Sequence, residues 1–314
     1  MEDLNKAYQG DQYIQKKKDV GYHIIKWVVF GLFIIYGISL LFPFLWMFVS
    51  SLRTGQDFDL NPFKLPSELY GKNFIEVIKF KIDGQTIGSM FLMSVFMTTL
   101  GTVINLFFSA CAAYILAKFK FIGRGVIYAV AIFTMVVPIV GTLPAQVQMM
   151  QTLHLDGDNS IMGVLFLYSG AFGFNFILLY SAFSSVSNSY LEAASVDGCG
   201  RFKTFFKVVL PQVKGSLIAC AVLQAIGYWN DYSTPRLFLP RGMTTLAVGL
   251  DMIQTKSGGN YPQIFASMII SIIPVLIIYL IFQKKIIEST NAGGLKGWKN
   301  STFYYFRRYL LFHH

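Results

Sequence analysis

The chain has 314 residues, 54% of them hydrophobic and 13% charged, and its mean hydropathy is +0.53. Soluble domains average about 25% charged residues, so this composition excludes an ordinary soluble fold and points to a bundle of membrane spans. The net charge of +10 does not mark a nucleic-acid binder, because the basic residues lie in short clusters between apolar runs, where they anchor topology. The three cysteines, Cys111, Cys199 and Cys220, are an odd set without metal-ligand spacing, and no disulfide framework is expected.

In chain order, the first apolar run begins after Lys16-Lys17-Lys18 and is too long for a signal-peptide core. It reads as an uncleaved first span. A span needs about 20 residues to cross about 30 Å of hydrocarbon. Six segments qualify: 24–49, 87–117, 125–150, 161–183, the shorter 215–230, and 261–283. Only the first holds a charge, Lys26 near its start. The expected fold is all-α and integral to the membrane, with six transmembrane helices.

Basic residues set the orientation. Five occur up to Lys26, three over 118–124, four over 201–214 and six after Gln283, against eight in the intervening loops. Both termini are therefore expected in the cytosol, with 1–23 a cytosolic segment.

Prolines interrupt several spans: Pro43 in the first, Pro138 and Pro144 around Gly141 in the third, Pro274 in the sixth. A proline removes a backbone donor and kinks a helix, and the freed carbonyls need protein or a watery cavity. Packing curvature accounts for such kinks in general; the Pro138–Pro144 pair is the candidate for lining a substrate path. Ser109, Ala113 and Ala117 form a small-residue stripe suited to close helix approach.

Between spans four and five, 191–211 reads as two short helices around a glycine turn. Glu192 to Val196 forms the first, with an acid near its start. Gly198 and Gly200 allow positive φ and stop it. Arg201 to Val209 resumes, with Phe202, Phe205, Phe206 and Val209 on one face and Lys203 and Lys207 on the other. Such a unit fits a partner's groove or an amphipathic membrane anchor equally well.

The spacing Glu192-Ala193-Ala194, then Gly198, then Val208, Leu210 and Pro211 resembles the EAA signature of binding-protein-dependent ABC importer permeases. Further stretches resemble the carbohydrate permeases of the MalG type: Pro43 to Trp46 with Ser50 to Arg53, Ala112-Ala113-Tyr114 with Lys118 to Arg124, Leu153-His154-Leu155, Trp229-Asn230-Asp231, and Asn291 to Gly297. Departures are Ser187 and Ser189, where the family has Pro and an acid, and Met93 in place of Asn. The tail 298–314 has no family counterpart; its mix of aromatic and basic residues suits lipid at the inner leaflet, and fits equally a disordered extension without function.

This resemblance implies a type I ABC importer transmembrane domain over 24–297, with its core at 87–283 and the EAA loop at 187–212, in the bacterial cytoplasmic membrane. It implies as partners a second permease, two copies of a cytosolic ABC ATPase and an extracytoplasmic solute-binding protein. Glu192, Ala193, Ala194, Asp197, Gly198, Arg201, Leu210 and Pro211 would couple to the ATPase. The segment up to Gly297 would also reach the ATPase pair, and the Gly- and Thr-rich loop 236–262 would face the binding protein. The chain has no G-x-x-x-x-G-K-[ST] motif, so ATP and Mg would be used by the partner ATPase and no cofactor is expected here. Uncharged spans argue against an ion-coupled secondary transporter. Gln146, Gln148, Asn175, Tyr228, Trp229 and Asn230, with Pro138 and Pro144, are candidates for facing a sugar, through ring stacking and hydrogen bonds to hydroxyls; each also fits ordinary helix packing.

Overall fold

The computed structural model describes residues 2–136, 141–240, 242–256 and 258–294, with backbone only at 2–20, 136 and 285–294. Pro138 and the tail 298–314 lie outside the described residues. The chain divides into two compact units, one of residues 1–74 with 260–266 and one of 75–259 with 267–314.

The first unit starts with α1 (Glu2–Ser51), whose stretch Gly21–Ser51 is long and apolar enough to span a membrane. Its apolar side chains are exposed on every side, the pattern of a helix surrounded by lipid. After it, α2 (Gly55–Leu60) and the first residues of α3 (Lys72–Lys79), which runs on into the second unit, form a small cap built around Arg53. Arg53 is fully buried, a state a charge tolerates only when paired. Its Nε donates to Asp57 Oδ2 at 2.7 Å, and its Nη atoms donate to the carbonyls of Asp57, Asn61 and Pro62 at 2.5, 2.9 and 3.1 Å. Asn73 Nδ2 donates to the carbonyls of Ser51 and Arg53, both at 2.7 Å. Trp46, Phe58 and Phe265 close an aromatic cluster with centroids 5.2–5.9 Å apart. Arg53 thus holds the segment 57–62 against the end of α1.

The second unit opens with a hairpin, β1 (Lys81–Ile82) and β2 (Gln85–Thr86), turning through Asp83 and Gly84 at φ 49° and 83°. Asp-Gly is the pair such a tight turn demands. Thr86 then caps α4 (Ile87–Lys118) in a reciprocal box with Ser89. The following helices are α5 (Arg124–Val136), α6 (Thr142–Thr152), α7 (Ser160–Tyr168), α8 (Phe174–Ser185), α9 (Ser189–Val196), α10 (Arg201–Thr204), α11 (Leu210–Gln212), α12 (Lys214–Trp229), α13 (Ser233–Phe238), α14 (Leu246–Lys256) and α15 (Tyr261–Gly294).

The central member is α4, packed against α8, α12, α7 and α14. Ser109 and Ala113 of the small-residue stripe are buried and Ala117 is half-buried; Ala113 lies in one core cluster with Phe176, Leu179 and Phe183 of α8. Among the described residues, three helices alone are long and apolar enough to cross a bilayer: Gly21–Ser51, Ile87–Lys118 and Tyr261–Lys284. The sequence segment 125–150 is divided between α5 and α6, and 161–183 between α7 and α8 with a break at 169–173. The loop expected at 236–262 is also different: it holds α14, which buries Leu246, Val248 and Ile253 at helical spacing. Ser94 Oγ accepts from the Leu246 amide at 2.7 Å and so caps that helix from α4.

Candidate coupling loop and polar core

Lys118, the last residue of α4, fixes the start of the loop by donating to the Val186 carbonyl and to Asn188 Oδ1. Ser187, standing where the family has proline, accepts from the Ser189 amide at 3.3 Å and shares a hydroxyl contact with Ser189 at 2.8 Å. Glu192 lies in the first turn of α9, where a negative charge complements the exposed amides.

The end of α9 is a Schellman motif. Gly198 takes φ +71°, its amide donates to Ser195 O at 3.1 Å, and the Cys199 amide donates to Ala194 O at 2.8 Å. Gly200 does not use that freedom: its φ is −64°, so one positive-φ glycine suffices for the turn. Helix α10 then passes through a π turn, Phe205–Val209, into α11. Pro211 has no amide to offer, and the wider π turn just before it accommodates the altered bonding. The axis bends by 82° into α12.

Phe205, Val209 and Val213 join the cluster of Ala113, Tyr114 and Phe183, and the Phe205 ring lies 4.7 Å from that of Tyr114. Phe202 and Phe206, expected on one face with Phe205 and Val209, are exposed, Phe202 at 83%. The extra residue per turn in the π segment shifts the phase of the stripe. Glu192, Ala193, Asp197, Gly198, Arg201 and Pro211 are exposed, Leu210 is half-buried, and Ala194 is buried. The loop thus has a solvent-facing edge and a root in the helix core.

The substrate-path candidates are not gathered into one site. Asn175 is buried, and its Nδ2 donates to Asn105 Oδ1 at 2.9 Å and Gln224 Oε1 at 2.7 Å. Asn105 Nδ2 donates to the carbonyls of Tyr168 and Gly170 at 3.1 and 3.0 Å, which the break between α7 and α8 leaves free. Tyr228 OH donates to the Tyr168 carbonyl at 2.9 Å and its ring stacks on that of Tyr168 at 3.9 Å. Tyr168 OH donates to Asp231 at 2.8 Å. Asn175 and Tyr228 therefore serve a buried polar core that splints the broken helix.

Trp229 is buried edge-on to Phe91 and donates to Ser271 O at 3.2 Å. Asn230 is exposed and donates to Ile226 O at 2.8 Å, ending α12. Pro144 and Gln148 are exposed on α6 and Gln146 is half-buried. Sequence reasoning missed Asn105, Tyr168 and Gln224. The available signal was an amide alone in an apolar run, expensive in a membrane without a partner.

Residues 109–287 match the family described as "binding-protein-dependent transport system inner membrane component". The chain is 30% identical to the probable ABC transporter permease protein YurM of Bacillus subtilis, over 91% of this chain and 95% of that one. It is 28% identical to the diacetylchitobiose uptake system permease protein NgcG of Streptomyces coelicolor, over 85% and 87%. Its structure is similar to a subunit of a bacterial ABC transporter involved in the import of the acidic polysaccharide alginate, with a TM-score of 0.71 and 28% identity over 85% of this chain and 97% of that one. The matched stretch contains the loop from α9 to α11 and, of the polar core, Tyr168, Asn175, Gln224 and Tyr228, and the chain belongs to the binding-protein-dependent transport system inner membrane components, the permease subunits of ABC transporters.

Proposed function

We propose that this chain is the translocation-pathway subunit of an ATP-driven importer of a sugar or oligosaccharide, and that the segment 187–212 couples it to a cytosolic ATPase. The observation that carries the reading is the glycine turn at Gly198. It sets an exposed edge of Glu192, Ala193 and Asp197 against a helix whose Phe205 and Val209 are rooted in the core. A groove that moved the exposed edge would move α4 and α8 with it. The saccharide class rests on similarity to the diacetylchitobiose permease and the alginate importer.

In this reading the chain crosses the bacterial cytoplasmic membrane six times with both ends in the cytosol, α5 with α6 and α7 with α8 each making one broken crossing. It pairs with a second permease, two ATPase copies that bind the ATP and Mg, and an extracytoplasmic solute-binding protein. Tagged chain purified from native membranes is expected to bring a second permease and an ATPase with it. Proteoliposomes of that complex, given the binding protein, are expected to accumulate an oligosaccharide only with internal or external ATP on the ATPase side. Accumulation driven by an ion gradient without ATP would overturn the reading.

A further inference from the structure

We propose that the groove between the end of α4 and the start of α10 holds the head and one chain of an anionic phospholipid from the inner leaflet. This placing rests on the membrane orientation above; the groove itself does not. Its volume is about 540 Å³, in the range of small-ligand sites. Cys111 and Ile115 on the last turns of α4 form one wall, and Phe119, Phe121 and Phe202 contribute rings. Two cations, Lys120 and Arg201, border this apolar lining. Both are exposed, and among the described residues neither is paired with a carboxylate. The Arg201 guanidinium lies over the Phe119 ring at 5.7 Å, which leaves its N–H edge free to donate.

An apolar trough capped by two unneutralised cations is complementary to one kind of molecule, an anionic amphiphile. Its level fits as well. α4 is a span of 32 residues, about 48 Å long against about 30 Å of hydrocarbon, so its last turns lie among headgroups. A phosphate at Lys120 and Arg201 would place its acyl chain along Ile115 and Cys111, towards the bilayer. Because Arg201 is also the first residue of α10, occupancy would brace the loop from α9 to α11 against α4.

The test uses the complete transporter in nanodiscs of phosphatidylcholine with a graded fraction of phosphatidylglycerol. Retained lipid is counted by native mass spectrometry for wild type, Lys120→Gln and Ile115→Trp, the last filling the trough. Wild type is expected to retain phosphatidylglycerol over phosphatidylcholine. Lys120→Gln should weaken that preference about five-fold, the worth of one basic residue at an anionic surface, and Ile115→Trp should abolish retention of both lipids at this place. Equal phosphatidylglycerol retention in all three proteins overturns the proposal. So does a photo-crosslinker at Phe121 that captures the ATPase or the second permease instead of lipid. Lipid counting needs no transport, so failure of import would leave this result standing, and the reverse.

Discussion

Asn105 carries more structural duty than its place in an apolar run announces. It satisfies two carbonyls released by the break at 169–173 and accepts from Asn175. Each buried polar group left without a partner costs about 1–3 kcal/mol. Asn105→Ala is therefore expected to lower the thermal unfolding midpoint of the purified complex clearly, while Gln148→Ala, on an exposed face, leaves it unchanged; equal midpoints would contradict the splint. Arg53 and Asp57 make a second residue-scale case. The Arg53 hydrogen bond, helped by Ser67, holds the Asp57 carboxyl below its ordinary value. The stabilisation is complete above the ordinary aspartate pKa of about 3.9 and disappears as pH falls through the lowered folded value. Protease resistance of the cap should be flat from pH 8 to 5 and fall in stronger acid, and Asp57→Asn should start lower and lose that acid-dependent step. A step of the same size in Asp57→Asn would exclude this carboxyl as its source.

Elements differ in how far the sequence discloses them. The turn at Gly198 was legible because everything that specifies it is local: an acid in the first turn, a glycine at the stop, a proline before the bend. α4 was legible from its length and lack of charge. The break after Tyr168 was not, since hydropathy runs on across 161–183 and the groups that compensate the break, Asn105 and Tyr228, come from about 60 residues away in the chain. α14 was hidden by the glycines and threonines around it, and its cap, Ser94, belongs to another helix. The phase of Phe202 and Phe206 was misjudged because a π turn is invisible to a 3.6-residue template. If the bend at Val213 depends on Pro211 and the π turn, Pro211→Ala should let the segment relax toward a regular α-helix. Spin labels at Lys203 and Gly215 would then report a changed distance; an unchanged distance would assign the bend to tertiary packing.

At the scale of the whole molecule, orientation is the first matter. In a background with Cys111, Cys199 and Cys220 replaced by serine, single cysteines at Lys72 and Thr255 are expected to react with an impermeant maleimide in intact spheroplasts. One at Lys203 should react only after lysis. Labelling of Lys203 from outside would contradict both termini being cytosolic. Coupling is the central matter, and Gly198 tests it most directly. Among the described residues, and apart from its chain neighbours, nothing lies within 4 Å of a Cβ built there, so a substitution leaves the spans intact and adds about 1–2 kcal/mol of left-handed backbone strain. The decisive measurement is ATPase stimulation by loaded binding protein, together with saccharide uptake, in nanodisc and vesicle preparations of wild type, Gly198→Ala and Gly198→Asp at equal permease content. Gly198→Ala should be mildly impaired, and Gly198→Asp, which adds a charge to the docking edge, should lose most stimulation and uptake; full stimulation and uptake in Gly198→Asp would contradict the coupling role of this loop.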